Sequence, residues 1–309
     1  MVPESNLRST DIRARRIAGF GVTSANAARL TEFYETAFGA RHVSSEHLTG
    51  ARFERWVDVR GGALRHKLQL GDQPIDILQF DTPGRPYPRP ISPYDTAFQH
   101  FAIVVSDMGL ALSHLQRAPG WTPISTGGPQ RLPQRSGGVV AFKFQDPDGH
   151  PLELLEFPVH AIPQHWKERS NHGIFLGIDH SAISVRDTAI STAFYQSIGF
   201  EVAAKTFNHG MEQANLDGVP SPQVEVTALA ARESTPHVEL LCYRTEMSRP
   251  RQVSASNDVA ATRIWVTVDG LENISGIDSA TRPLIDPDGH HLLYRQFDTR
   301  HPPTQGELT

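Results

Sequence analysis

Internal repetition constrains this chain more than any other feature, because a repeated unit imposes a repeated architecture. The pentapeptide Asp146–His150 (DPDGH) recurs unchanged at Asp286–His290. Residues 29–40 (RLTEFYETAFGA) resemble 190–201 (ISTAFYQSIGFE), with a Phe-Tyr pair at Phe33/Tyr34 and again at Phe194/Tyr195. A third match links the halves differently: His100–Asp107 (HFAIVVSD) and His180–Asp187 (HSAISVRD) both fit H-x-A-I-x-V-x-D. Together these matches define four related modules that begin near residues 16, 97, 176 and 259. A length of 309 residues, against roughly 100–200 per domain, accommodates them as two globular units.

Within a module the periodicities give the order of elements. After His180, Ile183 and Val185 alternate as in a strand, Asp187 is placed to cap a helix, and Ile190, Phe194 and Ile198 recur on one helical face. Asp107 caps the corresponding helix after His100, and Leu30, Phe33, Tyr34, Ala37 and Phe38 form the stripe of the first module. Each helix is followed by β-rich sequence, and Asp-Pro-Asp-Gly suits a tight turn between GVVAFKF and PLELLEF. The module therefore reads β-α-β-β-β. The fourth is short: Asp269 to Asp286 spans 17 positions against 39 for Asp107 to Asp146, room for only an abbreviated helix and hairpin. A proline-rich tract at 82–95 and a mixed segment at 158–175 read as linkers, which sets the two units at 16–158 and 175–298.

Composition narrows the chemistry. No apolar run approaches the ~20 residues of a membrane span, and a net charge of −5 speaks against a nucleic-acid partner. The N-terminus lacks the apolar core of a secretory signal, and the single cysteine, Cys242, allows no intrachain disulfide and no thiolate metal cluster. A reducing, cytoplasmic setting is expected. The 15 histidines become the places to look for reactivity.

Two positions stand out among the strands. In PLELLEF, alternation puts Leu152 and Leu154 on one face and Glu153 and Leu155 on the other; in HVELLCY, Glu239 lies between Val238 and Leu240. A carboxylate among leucines is costly unless paired, hydrogen-bonded or bound to metal. Glu153 follows His100 by 53 positions and Glu239 follows His180 by 59, so two modules each offer one imidazole and one carboxylate at matching places. Imidazole plus carboxylate without thiolate suits Zn²⁺, Ni²⁺, Mn²⁺ or Fe²⁺. Asp107 and Asp187 read as caps rather than bases, the DPDGH histidines and His291 as solvent-facing turn residues, and FNHGMEQANLDG (with His209, Glu212 and Gln213) as a polar loop near a rim. Tyr243, two positions beyond Leu241, either faces the same site or packs in the core.

The His-led strands with Asp107 and Asp187, the two Phe-Tyr helices and the DPDGHPLELLEF hairpin make residues 16–298 resemble the vicinal oxygen chelate superfamily, which includes glyoxalase I, extradiol dioxygenases and bleomycin-resistance proteins. The resemblance implies an α+β fold: four βαβββ modules forming two cupped mixed sheets, with helices on the outer faces. It implies a metal held by His100, Glu153, His180 and Glu239, and one of the two glutamates acting as base. The other modules depart from the pattern, with Gly19 and Thr262 aligned to the histidines, Leu293 to Glu153, and Asp76 or Gln79 near the remaining place. If inner modules two and three pair, one cup holds all four ligands and the cup of modules one and four holds none.

The leading expectation is a divalent-metal-dependent, glyoxalase-like lyase or isomerase acting on a small carbonyl or hydroxyketone substrate through a stabilised enediolate, with Glu153 and Glu239 as catalytic candidates. A thiol-conjugated aldehyde is one such substrate, although no arginine cluster marks a glutathione site. The alternatives are an Fe(II) extradiol-type dioxygenase, for which two histidines and one glutamate suffice, and a non-catalytic protein that holds a small ligand in the cup. The expected partner is a small molecule, and four fused modules allow a monomer or a homodimer.

Overall fold

The structure, a computed structural model, describes residues 13–169, 173–233, 235–244, 253–269 and 281–296. The first module runs β1 (Arg13–Thr23), α1 (Ala27–Phe38), β2 (Arg41–Leu48), α2 (Ala51–Val57), β3 (Ala63–Leu70) and β4 (Gln73–Phe80). The second holds β5 (Gln99–Val105), α3 (Met108–Leu115), the two-residue strands β6 (Thr122–Pro123) and β7 (Gln130–Arg131), β8 (Val140–Gln145) and β9 (Pro151–Glu156). A short helix α4 (Gln164–Arg169) lies in the linker. The third module has β10 (Phe175–Ser184), α5 (Thr188–Ser197), β11 (Glu201–His209), α6 (Met211–Asp217), β12 (Gln223–Ala230) and β13 (His237–Tyr243). The fourth contributes β14 (Arg263–Asp269), β15 (Thr281–Ile285) and β16 (His291–Gln296). Its expected abbreviated helix falls outside the described residues.

The strands form two mixed sheets, and each takes one module from either half of the sequence. One sheet runs β15-β16-β14-β1-β4-β3-β2, joining modules one and four; the other runs β11-β12-β13-β10-β5-β9-β8-β6, with β7 on β8, joining modules two and three. The seams are antiparallel: β1 on β14, with Gly19 opposite Trp265, and β10 on β5, with His180 opposite Ala102 and Ala182 opposite His100. The inner modules therefore share one cup and the outer modules the other.

Alternation along each strand separates a helix-facing side from a cup-facing side. Phe101, Ile103, Leu152, Leu154, Val238 and Leu240 pack into a core that also buries Phe33, Tyr34 and Phe38 of α1. The alternate residues, among them Ala102, Leu155, Ala182 and Leu241, face the cup. The helices start where their caps dictate: Asn26, Asp107 and Asp187 each accept from backbone N–H groups of the first turn. The stripe expected on α5 is rotated. Ile190 is 58% exposed, while Ser191 and Tyr195 face inward, because the inner side of this helix meets the polar turn of module four.

The two DPDGH turns do more than reverse the chain, and their histidines are buried rather than solvent-facing. Asp146 Oδ1 accepts from the N–H groups of Asp148, Gly149 and His150, while Oδ2 meets His150 Nδ1 at 2.8 Å. That fixes the ring so that Nε2 reaches the Thr23 and Val259 carbonyls of the outer modules. Asp148 accepts from Ser24 Oγ (2.5 Å) and Arg29 (2.6 Å) beside α1. The second copy mirrors it: Asp288 accepts from Arg186 (2.7 Å) and Ser191, and His290 Nε2 lies 3.0 Å from the Ser184 carbonyl. Each turn thus clips one cup to the other. His291, also buried, sits 2.8 Å from the Ser254 carbonyl, and burial pushes its pKa down to about 4.

Candidate metal centre

The first and last strands of modules two and three bring the four expected ligands to one cavity. In register, Ala102 lies beside Glu153 and Ala182 beside Glu239, so His100 and His180 stand diagonally next to both carboxylates at the centre of the inner sheet. His100 Nε2 is 2.8 Å from Glu153 Oε2, and His180 Nε2 is 3.5 Å from Glu239 Oε2. The imidazole rings of His100 and His180 are 5.8 Å apart. One ligand atom from each of His100, Glu153 and His180 lies within 4.8 Å of the others. Ligands at ~2.0–2.2 Å from one ion stand up to about 4.4 Å apart, so a trio within 4.8 Å needs only a small contraction to share an ion.

Hydrogen bonding supports this donor set. Nδ1 of buried His100 lacks a hydrogen-bond partner, and Nε2 has only the Glu153 carboxylate, at 2.8 Å. That is costly in a folded protein unless a further group completes it, and lone pairs converging on a shared cation are one such arrangement. His180 is oriented differently: its Nδ1 meets Asp179 Oδ2 at 3.0 Å, which leaves Nε2 for the cup. Asp179 is itself held by the indole N–H of Trp166 at 2.7 Å. Trp166, on α4, is almost wholly buried, so the linker braces the site as well as joining the halves.

The charges are arranged for a cation. Burial disfavours imidazolium at His180, but Glu239 and Asp179 outweigh it and push its pKa up to about 9. Burial likewise opposes ionisation of Glu239, yet His180 and His237 hold it at about 2. Against its own burial, Glu153 is held below the usual range by Lys143 and His100. Burial keeps His100 below its ordinary value and therefore neutral, the form a ligand needs.

Several residues around the centre escaped the sequence reading. Lys143 on β8 lies 4.0 Å from Glu153 and pairs with Asp217 at 2.7 Å. Asp217 also accepts from Gln213 (2.8 Å) and Tyr243 OH (3.0 Å). The segment expected to be a polar loop is helix α6, and its Gln213 and Leu216 line the cavity. His237, in register with His180, lies 3.5 Å from Glu239 Oε1 and 3.8 Å from Asp179. Tyr243 faces the cavity, whose volume is about 310 Å³.

The outer cup lacks such a set among the described residues. Register places Gly19 at the His180 position, and a Cβ there would lie 2.7 Å from the Pro74 carbonyl oxygen, so no ligand side chain fits. The residue opposite Gly21, equivalent to His100 opposite Ala182, is Arg263 rather than Thr262. Leu293 stands at the Glu153 position, and Asp76 at that of Glu239, where it is bound to Arg65.

The family described as Glyoxalase/Bleomycin resistance protein/Dioxygenase superfamily matches residues 16–154. Glyoxalase I from Zea mays is similar in structure at 14% identity, with 93% of this chain and 94% of that chain covered and a TM-score of 0.57. A protein described as a putative dioxygenase from Bacillus subtilis is similar at 12% identity, with 96% and 88% covered and a TM-score of 0.56. At these identities the likeness shows the fold. No curated protein sequence matches the chain.

Proposed function

From the match of residues 16–154 to the Glyoxalase/Bleomycin resistance protein/Dioxygenase superfamily, we propose that the inner cup is the active site of a divalent-metal-dependent lyase or isomerase for a small carbonyl or hydroxyketone substrate. The observation that carries this reading is the convergence of His100, Glu153, His180 and Glu239 on one buried cavity, with His100 Nδ1 unpartnered and Nε2 meeting only the Glu153 carboxylate. These four residues would hold the ion. Bound there, Zn²⁺, Ni²⁺, Mn²⁺ or Fe²⁺ would stabilise negative charge on a substrate oxygen when the neighbouring carbon loses a proton.

The protein's own part is proton transfer and exclusion of water. Glu239 is the better placed base: its side chain is 23% exposed, against 8% for Glu153, which is hemmed in by His100 and Lys143. Glu239 takes a carbon-bound proton and returns it to the adjacent carbon, so an isomerisation needs no net proton. Lys143 presents a buried ammonium to anionic oxygen, and Val226, Leu241 and Tyr243 wall the reacting atoms from solvent.

One observation favours a second reading. His100, Glu153 and His180 form the tight trio while Glu239 stands outside it, the two-histidine, one-carboxylate pattern of Fe(II) oxygenases. Reconstitution of purified protein with each metal, followed by elemental analysis, tests the site itself: close to one ion per chain is expected, abolished by His100→Ala or His180→Ala. A protein that stays metal-free after reconstitution refutes it and favours simple ligand binding. Isomerisation of a methylglyoxal–thiol adduct supports the first reading. Oxygen uptake with catechol, without that isomerisation, reverses the order.

A further inference from the structure

The outer cup lacks metal ligands among the described residues yet keeps a cavity of about 250 Å³, close in size to that of the inner cup. It also keeps the covering helix. In the inner cup α6 follows the second strand of its module and starts after Gly210 (φ 102°); in the outer cup α2 occupies the same place and starts after Gly50 (φ 88°). Phe53 of α2 packs in an apolar cluster with Leu78 and Phe80, and Arg52, Phe53 and Trp56 line the cavity.

The polar groups of this cavity are unbalanced in one direction. Its charged lining residues are Glu46, Arg52, Arg65 and Arg295. Arg65 bonds Glu46 through Nε and Nη2 and Asp76 Oδ2 through Nη1, which engages the one lining carboxylate; Asp76, whose Oδ1 stays without a partner, does not line the cavity. Arg52, stacked 5.7 Å from the Trp56 ring, and Arg295 form no ion pair among the described residues. The indole nitrogens of Trp56 and Trp265, also lining residues, are buried without a hydrogen-bond partner. Two unpaired guanidinium groups therefore line a space walled by Leu48, Phe53, Leu293 and the rings of Trp56 and Trp265, while its one carboxylate, Glu46, is already engaged by Arg65. A site rich in donors and short of acceptors calls for a ligand that brings acceptors. Charge and shape both indicate an organic anion with an apolar body.

We propose that the outer cup is a second, metal-independent binding site for a small aromatic or aliphatic monocarboxylate, its carboxylate taken by Arg52 and Arg295 and its apolar body by the aromatic walls. The cavity is just below the ~300–1,000 Å³ of drug-sized sites, which suits a single-ring molecule. The inference does not rest on the reading of the inner cup.

Calorimetric titration of the metal-stripped protein with phenylacetate tests it, with neutral phenylacetamide as the isostere. Saturable binding of the anion is expected, weaker by about tenfold or more for phenylacetamide and for the Arg52→Leu/Arg295→Leu double variant. Both arginines are exposed, so the fold should survive their replacement, which thermal unfolding checks. His180→Ala should leave it unchanged. No saturable binding, equal binding of the amide, or loss of binding in His180→Ala each overturns the proposal, the last by moving the ligand to the inner cup.

Discussion

Metal uptake by the inner cup is expected to release close to one proton per ion near neutral pH, and the proton comes from His180. With its pKa pushed up to about 9 by Glu239 and Asp179 against the effect of burial, His180 is neutral in only about one molecule in a hundred at pH 7. An ion needs the neutral ring, so apparent affinity should fall about tenfold for each pH unit below about 9. Relative to an ordinary imidazole at 6.5, the rise of about 2.5 units withholds about 3 kcal/mol from metal binding at acidic pH. The other ligands contribute no proton: His100 is held neutral by burial, and Glu153 and Glu239 are held below the usual carboxylate range. Calorimetric titrations with Ni²⁺ or Zn²⁺ in buffers of differing ionisation heat give the proton count directly. A count near zero, or an affinity flat between about pH 6 and 8, would refute this account of the site's electrostatics.

Three further outcomes follow from the same geometry. In metal-free protein the His180–Glu239 attraction is one interaction seen from both partners: the raised His180 pKa gives stability that is complete below 6.5 and lost as pH rises through about 9, and the lowered Glu239 pKa gives stability present above 4.5 and lost as pH falls through about 2. The unfolding free energy that separates wild type from His180→Gln should accordingly shrink between those upper values in urea titrations. Asp179→Asn takes away one of the two charges that keep His180 protonated and should cut the protons released per metal ion below one near pH 7, while far-UV circular dichroism stays the same. Asp146→Ala strips an acceptor from three backbone N–H groups and frees the His150 ring, and should cost about 3 kcal/mol in denaturant unfolding.

What could be read from the chain before its structure was whatever the repeat carries in its own frame. His100, Glu153, His180 and Glu239 lie on strands that open or close a module, where matching positions announce matching roles. Residues supplied by another part of the chain had no such signal. Lys143 meets Asp217 across 74 positions, and Trp166 reaches Asp179 from a segment that reads as a connector. The DPDGH histidines read as solvent-facing because the turn looks complete locally, whereas each ring's Nε2 is satisfied by a carbonyl more than a hundred positions away. Thr262 rather than Arg263 was aligned to His100 because a one-residue slip flips a strand's face, and only pairing fixes it. Helix α6, at seven residues without a side-chain cap, is too short for periodicity to reveal.

The seam between β1 and β14 sets a timetable for biosynthesis. Gly21 waits for Arg263, some 240 residues later, before its sheet can be completed. At ~5–20 residues per second a ribosome needs roughly 12–48 s to cover that distance. Throughout that interval β1 has β4 on one side and a bare strand edge on the other, the kind of edge that pairs with strangers. The inner sheet has no such delay, since β5 and β10 emerge within one stretch of chain. The inner cup can therefore assemble first and serve as the scaffold on which the older, waiting strands are finally enclosed.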